Sequence, residues 1–471
     1  MTSRQVTSRQ VTSRQVTRQI SLSACLLITC LLKNKDMDKR ILFYIIALCI
    51  VTTAKAQETL HLSLSDCRGM AVGHDEDLRR AGNAMKQAEA DRGTAIAAYL
   101  PKVSASATGA YIAPDIDIMG MQLQMRGMYM AGITLTQPIY AGGKIQAGKR
   151  LAEIGRESSR ENYRKTRMQV VADADIAYWS LIAVRWKVRM LRAYKAQMDT
   201  LLRQTQTTIA AGMATDNDLL RVQAKQSEIS YQLSKAESGA ELCNMSLCSA
   251  IGCSLDTRIV PTDTTITMQP SDCLSADIAM RPELGLLGQQ VKAAEQQVKM
   301  ARAEILPTVG LSANYSYYGN IKLNGMTADA AGNAVPFTQN YKDDMLVVMA
   351  SVSIPVFNWG AGLKKIRKAK IEADNARLSL QKTERMLTLE AEQAIRNVNN
   401  SRSLVSTAHI GLEQSEANLR QTRSRHTAGL CSLSDLMDAH SQWQQAQSNL
   451  IEALTGYKIY ETEYLKATGK L

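Results

Sequence analysis

Proline is absent from two long stretches of this 471-residue chain. None of the nine prolines lies between Pro138 and Pro261, and none follows Pro355, so each stretch exceeds a hundred residues. Proline in a helix interior removes a backbone hydrogen bond and clashes with the preceding turn, so these stretches lack the commonest helix breaker. At about 1.5 Å per residue, they allow helices on the order of 100 Å long. This pattern argues against an ordinary compact domain.

The sequence also contains an internal duplication. Residues 100–111, LPKVSASATGAY, match residues 306–317, LPTVGLSANYSY, at an offset of 206. Further along, Ala211-Gly212 matches Ala428-Gly429 at an offset of 217, so the second copy has eleven more residues before its helices. Self-similarity of this kind indicates two copies of one structural unit. We expect all of the extra length to lie in one loop.

Each copy is predicted to run helix, strand, strand, long helix, turn, helix. We assign the first repeat to residues 57–260 and the second to residues 261–471. The expected strands are residues 102–112, 129–139, 308–318 and 345–357, and the expected hairpin turns lie near residues 212 and 429.

The strand segments alternate between apolar and polar residues. Val103, Ala105 and Ala107 share one face, whereas Ser104 and Ser106 share the other. Strands of about ten residues with this alternation are typical of outer-membrane barrels, although a soluble sandwich with one solvated face has the same pattern. A single-chain barrel needs at least about eight strands, so four membrane strands would have to share one barrel with other copies.

The helical segments have heptad spacing, with frequent alanine that lets helices approach closely. We interpret these apolar stripes as packing surfaces and not as cofactor sites. Representative seam positions are Leu181, Val188, Val222, Ile229, Ala369, Ala373, Leu436 and Trp443.

The first 56 residues differ from the rest of the chain. Residues 1–36 contain a low-complexity repeat and are interpreted as a non-native leader extension, and residues 37–56 resemble a secretory signal peptide. That signal has a basic start at Lys39 and a small-x-small cleavage site at residues 54–56. A lipoprotein signal at Cys25 is the alternative, but no apolar core precedes that cysteine. No later segment has the roughly 18 apolar residues of a membrane-spanning helix.

The formal net charge of +12 comes largely from the leader. Residues 1–56 contribute nine basic and two acidic residues, or +7, which leaves +5 spread over 415 positions. Because these remaining charges are interspersed, the sequence does not indicate a nucleic-acid partner.

Several motifs occur in both copies in the same order. Arg281-Pro282-Glu283-Leu284 opens the second repeat, and both copies begin their first strand after Leu-Pro. Residues 354–360, IPVFNWG, have a looser partner in residues 137–143, QPIYAGG. Together these motifs resemble the TolC-like outer membrane efflux protein family over residues 58–467.

The resemblance implies a mainly α fold with a small β part. Three copies of such a chain form one 12-stranded barrel, four strands from each copy, continued by a tunnel of long coiled-coil hairpins in the periplasm. Family members work as export ducts of tripartite efflux or type I secretion systems, with a periplasmic adaptor and an inner-membrane RND or ABC transporter. They carry small molecules or polypeptides, catalyse no reaction and need no cofactor or metal.

The two predicted turns have the spacing of helix caps. Gly212 and Gly429 fit the left-handed residue that ends a helix. Thr215 with Asp218, and Ser432 with Asp435, have capping-box spacing for the returning helix. Capping is therefore one interpretation of both aspartates.

The resemblance adds further roles at these turns. It matches Asp435 and Asp438 to an acidic pair that rings the periplasmic entrance, where three copies of each would create a negative field. It also places adaptor docking beside the turns and a latch at the caps. The predicted docking residues are Gly212, Met213, Gly429 and Leu430, and the predicted capping or latch residues are Thr215, Asp218 and Ser432.

The chain departs from the family at that latch. The resemblance places an aromatic residue and an arginine where this chain has His426 and Cys431. Another basic residue, or a looser resting state, would then have to replace the usual partner of Asp218.

Two other classes of protein remain open at this point. A structural or adhesive surface coiled coil explains the heptads but gives the duplicated strands no role, and a periplasmic adaptor would need β-rich domains around a single hairpin. The sequence has no Walker-type loop, no His-Glu-x-x-His motif and no nucleophile elbow. The transported substrate cannot be identified from the residues.

Overall fold

Both proline-free stretches form helical hairpins in a computed structural model of the chain. It describes residues 59–213, 215–263, 266, 268, 274–329 and 333–471. The predicted leader and signal peptide lie outside these residues, as do Ala214 and Cys273. In chain order the helices are α1 (Leu64–His74), α2 (Glu76–Ala97), α3 (Lys144–Ala210), α4 (Asp216–Ile251), α5 (Pro282–Ala303), α6 (Ala361–Thr427) and α7 (Leu433–Ala467). The strands are β1 (Thr59–Leu62), β2 (Lys102–Tyr111), β3 (Ile116–Ile118), β4 (Met121–Gln124), β5 (Arg126–Ala141), β6 (Arg258–Pro261), β7 (Thr308–Ala328) and β8 (Ala334–Ser353).

The duplication is visible in the helix lengths. Helices α3 and α6 each contain 67 residues, and their returning partners α4 and α7 contain 36 and 35. Each long helix follows a left-handed glycine, Gly143 with φ 86° and Gly360 with φ 73°. At about 1.5 Å per residue, each long helix spans about 100 Å.

Four long strands pair in the order β2-β5-β7-β8, all antiparallel. Three of the four exceed the expected length of about ten residues, since β5, β7 and β8 have 16, 21 and 20, whereas β2 has ten. The expectation of one long loop in the second copy is wrong: β7 and β8 stay paired as far as Ala328 and Ala334, so much of the extra length is strand. The last strand ends at Ser353, before the predicted end at residue 357. The short β3-β4 hairpin, which pairs with β7, was not expected.

The pairing of the strands aligns apolar residues on one face of this sheet. Val103 pairs with Leu135, which pairs with Ala313, which in turn pairs with Val348. The adjacent row contains Ser104, Thr134, Asn314 and Val347 and is mostly polar. In the single chain the apolar face is open to solvent, with Val103 63% and Val348 64% exposed.

The helical core has two main clusters along the hairpins. One surrounds α1, the middle of α3 and the end of α4, with Tyr178, Leu181 and Leu247 almost completely buried. The other lies near the hairpin turns and contains Tyr194 and Trp443, which come from different hairpins. Within the described part of the chain, no helix is both long enough and apolar enough to cross a membrane.

The Arg-Pro-Glu-Leu motif joins three helices. Pro282 occupies the first position of α5, where its missing N–H costs nothing. The Arg281 side chain, which is only 4% exposed, donates to the Lys466 carbonyl at 2.8 Å and to Glu390 at 3.0 Å. This residue therefore ties the start of α5 to α6 and to the end of α7.

A buried ion pair connects α1 to α3. The Arg68 guanidinium donates two hydrogen bonds to Asp175, at 2.7 and 2.6 Å, and the Asp175 side chain is completely buried. Thr462 of α7 donates to the same carboxylate at 3.3 Å. A buried carboxylate is tolerated only with partners of this kind.

We predict that Arg68→Met lowers the free energy of unfolding by about 3 kcal/mol, because it leaves the buried Asp175 carboxylate without its cation. The matched control is Arg80→Met, which removes an ion pair with Asp77 whose side chains are 82% and 71% exposed. That change should cost less than about 0.5 kcal/mol. Denaturant unfolding, monitored by circular dichroism, measures both free energies. Equal losses of stability in the two variants would contradict the stabilising role of the buried Arg68–Asp175 pair.

Candidate functional site

The two hairpin turns have the same backbone geometry. Gly212 and Gly429 have φ of 73° and 72°, the left-handed conformation that L side chains resist. In the first turn, the Met213 N–H donates to the Thr208 carbonyl at 2.9 Å, and in the second, the Leu430 N–H donates to the Arg425 carbonyl at 2.8 Å. These are the long-range bonds of a Schellman motif, and they satisfy carbonyls that a helix end leaves unpaired.

Each returning helix begins with a capping box. Thr215 Oγ1 donates to Asp218 Oδ2 at 2.7 Å and accepts from the Asp218 N–H at 3.3 Å. Ser432 Oγ does the same with Asp435, at 2.8 and 3.2 Å. In both boxes the backbone N–H of the cap residue also donates to the carboxylate, at 3.1 and 3.0 Å. Both carboxylates are therefore committed to the start of a helix.

Hydrogen bonding changes the acidity of these carboxyl groups. The Ser432 hydroxyl, and after it the Ser432 backbone N–H, hold the pKa of Asp435 below its ordinary value of 3.8. Thr215 lowers the pKa of Asp218 in the same way. Because the folded pKa is depressed, the cap's contribution to stability is complete above the ordinary pKa and is lost as the pH falls through the folded one.

Asp438 is one helical turn beyond Asp435, on the same side of α7. It is exposed and, among the described residues, makes no hydrogen bond or ion pair. Unlike Asp435, it is available to act on solvent ions. The structure thus separates a capping aspartate from an uncommitted one.

Apolar side chains at both turns are open to solvent. Met213 is 79% exposed and Leu430 is 70% exposed, and each directly follows the left-handed glycine. The two turns lie at the same end of the hairpins, because Leu201 and Val222 of the first hairpin share a buried cluster with Leu436 of the second. Two exposed apolar side chains are therefore presented at one end of the molecule.

The residues at the predicted latch have modest contacts. Cys431 Sγ donates to the Thr422 carbonyl at 3.4 Å, and His426 is partly buried at the end of α6. The charges of Arg221 and Arg425 also lower the pKa of Asp218 and of Asp435, respectively, but less than the hydrogen bonds of the caps do.

One buried residue near the turns was not singled out by the sequence. His440 is 5% exposed and stacks on Tyr194 of the other hairpin, with ring centroids 5.9 Å apart. Burial, and then the charge of Arg423, lower its pKa to about 4. It is therefore a neutral packing residue near pH 7, and its only sequence signal is its place between Leu436 and Trp443 in the apolar stripe.

The chain was compared with known proteins. A family model described as outer membrane efflux protein matches residues 68–252 and 274–470. The chain is 21% identical over 342 residues to the outer membrane efflux protein BepC of Brucella suis, covering 72% of each. It is 22% identical over 339 residues to the alkaline protease secretion protein AprF of Pseudomonas aeruginosa, covering 70% of this chain and 67% of that protein.

Among solved structures, the fold is similar to that of the outer membrane protein VceC from Vibrio cholerae. The TM-score is 0.72 at 17% identity, and the match covers 86% of this chain and 96% of that one.

We predict that one substitution, glycine to alanine, has opposite effects at two positions of this hairpin. Gly429→Ala should destabilise by about 1 kcal/mol, because a Cβ at positive φ is strained. Gly411→Ala, within α6, should stabilise by up to about 1 kcal/mol, because alanine has the higher helix propensity. No neighbouring atom lies within 4 Å of the added Cβ at either site, so backbone conformation alone decides the sign. Amide hydrogen exchange of α6 measures the change in stability in both variants. A change in the same direction in the two variants would contradict the turn geometry.

Proposed function

Because the chain belongs to the outer membrane efflux protein family and is an export channel of the outer membrane, we propose that three copies assemble into one continuous duct. The observation that carries this proposal is a sheet whose four long strands end in two open edges, β2 and β8, and continue into helices about 100 Å long. The sheets form a shared 12-stranded barrel and the hairpins form the wall of a periplasmic tunnel.

The open edges support the assembly. Among the described residues, the outer edges of β2 and β8 have no strand partner. In lipid, each unpaired backbone group costs several kcal/mol, since no water is available to bond it. Pairing of β8 in one copy with β2 in the next satisfies both edges, and three copies close the ring with the apolar face toward lipid.

The duct needs other proteins to move its cargo. We propose that a periplasmic adaptor docks at the turns and connects the duct to an inner-membrane RND or ABC transporter. The exposed Met213 and Leu430 beside Gly212 and Gly429 supply the apolar docking surface. The duct itself catalyses no reaction and carries small molecules or polypeptides according to the pump.

The acidic residues of α7 set ion selectivity at the tunnel entrance. Three copies each of Asp435 and Asp438 around a narrow axis produce a negative field that attracts cations and lets multivalent cations block the pore. Asp438 is the sharper test because it has no capping role.

In planar-bilayer recordings, Asp438→Ala should raise the concentration of multivalent cation needed for half blockade by on the order of tenfold, since the local cation concentration falls. The control is Glu413→Ala, an exposed acidic residue of α6 that lies well away from the turn. Unchanged blockade in Asp438→Ala would contradict a role of Asp438 at the entrance. An equal shift of the half-blocking concentration in Glu413→Ala would show a non-specific charge effect.

The assembly is tested in cell envelopes. An outer-membrane fraction should yield a detergent-extracted particle with the mass of three chains, and cross-linked pull-down should recover an adaptor and an inner-membrane transporter. A monomer released without detergent would favour the alternatives, a surface coiled coil or a periplasmic adaptor.

A further inference from the structure

A cavity of about 250 Å³ lies where β5 ends and α3 begins, against the last turns of α5. Its position is directly beneath the sheet, at the level where the strands give way to helices. The residues that line it and matter here are Gly143, Arg150, Gln296, Lys299, Arg302 and Leu306.

Three basic side chains line the cavity. The side chains of Arg150, Lys299 and Arg302 are exposed, and none of them has an ion-pair or hydrogen-bond partner among the described residues. The first turn of α3 adds the positive end of a 67-residue helix dipole, with no capping side chain and no acidic residue. The nearby Glu304 is neutralised by Lys365 at 2.8 Å. The carbonyl end of α5 supplies the opposing partial charge.

A buried polar group of this wall is also unsatisfied. Gln296 is 8% exposed, and its Oε1 has no hydrogen-bond partner. The amide oxygen and nitrogen can exchange places by rotation, so the same side chain can present its two N–H donors to an anion. A buried amide without partners is costly unless something else in the cavity satisfies it.

The duplication shows that helix packing does not require these residues. At the offset of 206, Gln296, Lys299 and Arg302 correspond to Ala90, Gly93 and Ile96. The first copy thus builds the equivalent helix with neither the amide nor the two cations. The amide and the two cations that α5 contributes are therefore specific to the second repeat.

We propose that this cavity binds the phosphate of an anionic phospholipid from the periplasmic leaflet of the outer membrane. The inference rests on the membrane position of the strands in the proposed duct. Exposed apolar side chains at this level suit the acyl chains: Leu306, which lines the cavity, is 38% exposed, and Ile139 and Tyr140, at the end of β5, are 63% and 47% exposed. Interfacial aromatic residues and unpaired basic groups are the usual features of such lipid contacts. Free phosphate would use the cations but not the apolar surface.

The full chain, purified in neutral detergent, is titrated with phosphatidylglycerol and, separately, with phosphatidylcholine, and bound lipid is counted by native mass spectrometry. Lys299→Glu should weaken phosphatidylglycerol binding at least about tenfold. Lys292→Glu is the matched control, because it makes the same charge change two turns away on the same helix. It should bind like the wild type.

A second variant tests the buried amide. Gln296→Leu keeps the volume but removes both donors, so it should bind phosphatidylglycerol several-fold more weakly, while the melting temperature measured without lipid does not fall. Inorganic phosphate is titrated in parallel as the other source of the same anion.

Three results would overturn the proposal. The first is equal binding of phosphatidylglycerol and phosphatidylcholine, and the second is wild-type binding of phosphatidylglycerol by Lys299→Glu. The third is that inorganic phosphate binds as tightly as phosphatidylglycerol, so that the lipid part adds nothing. Planar-bilayer conductance of the wild type and of Lys299→Glu is recorded with the same protein preparations. Loss of lipid binding with normal conductance supports the site, whereas absence of conductance in the wild type would count against the duct.

Discussion

The proposed duct depends on one constraint: every backbone N–H and C=O inside a bilayer must find a partner. Strands β2 and β8 each bond a neighbour on one side only within the described chain, and lipid contains no water to pair with the other side. In that assembly, one copy alone would be an incomplete structure, however well its helices pack. The internal duplication reduces the problem, because two fused units leave two open edges where two separate units would leave four.

Much of the architecture was predictable because it depends on local, repeated chemistry. Missing prolines predicted the long helices, and glycine followed by a Ser/Thr-x-x-Asp spacing predicted both turns. Strand lengths were underestimated because the alternation weakens after Tyr318, where pairing of β7 with β8 nevertheless continues after an irregularity. The β3-β4 hairpin was missed because strands of three and four residues have too few positions to establish a period.

Features built from distant residues were not predictable. Asp175 looks like an ordinary polar residue of a helix until Arg68 and Thr462 surround it. Likewise, Arg150 and Lys299 lie far apart in sequence, and only the packing of α3 against α5 places them around one cavity. At the turns, by contrast, local spacing was enough: it placed Asp218 and Asp435 in the caps and left Asp438 outside them, and the side-chain hydrogen bonds have the same arrangement.

The unbroken length of α3 and α6 has a mechanical consequence. A helix of 67 residues without proline lacks the commonest cause of a sharp kink, so a rotation at one end is transmitted to the other. Over about 100 Å, a rotation of only about 5° at the strand end displaces the far end by roughly 9 Å. In the proposed duct, a widening at the turns would therefore need only a small rotation near the sheet, and a ligand or substitution at the strand-helix junction would affect the distant turns.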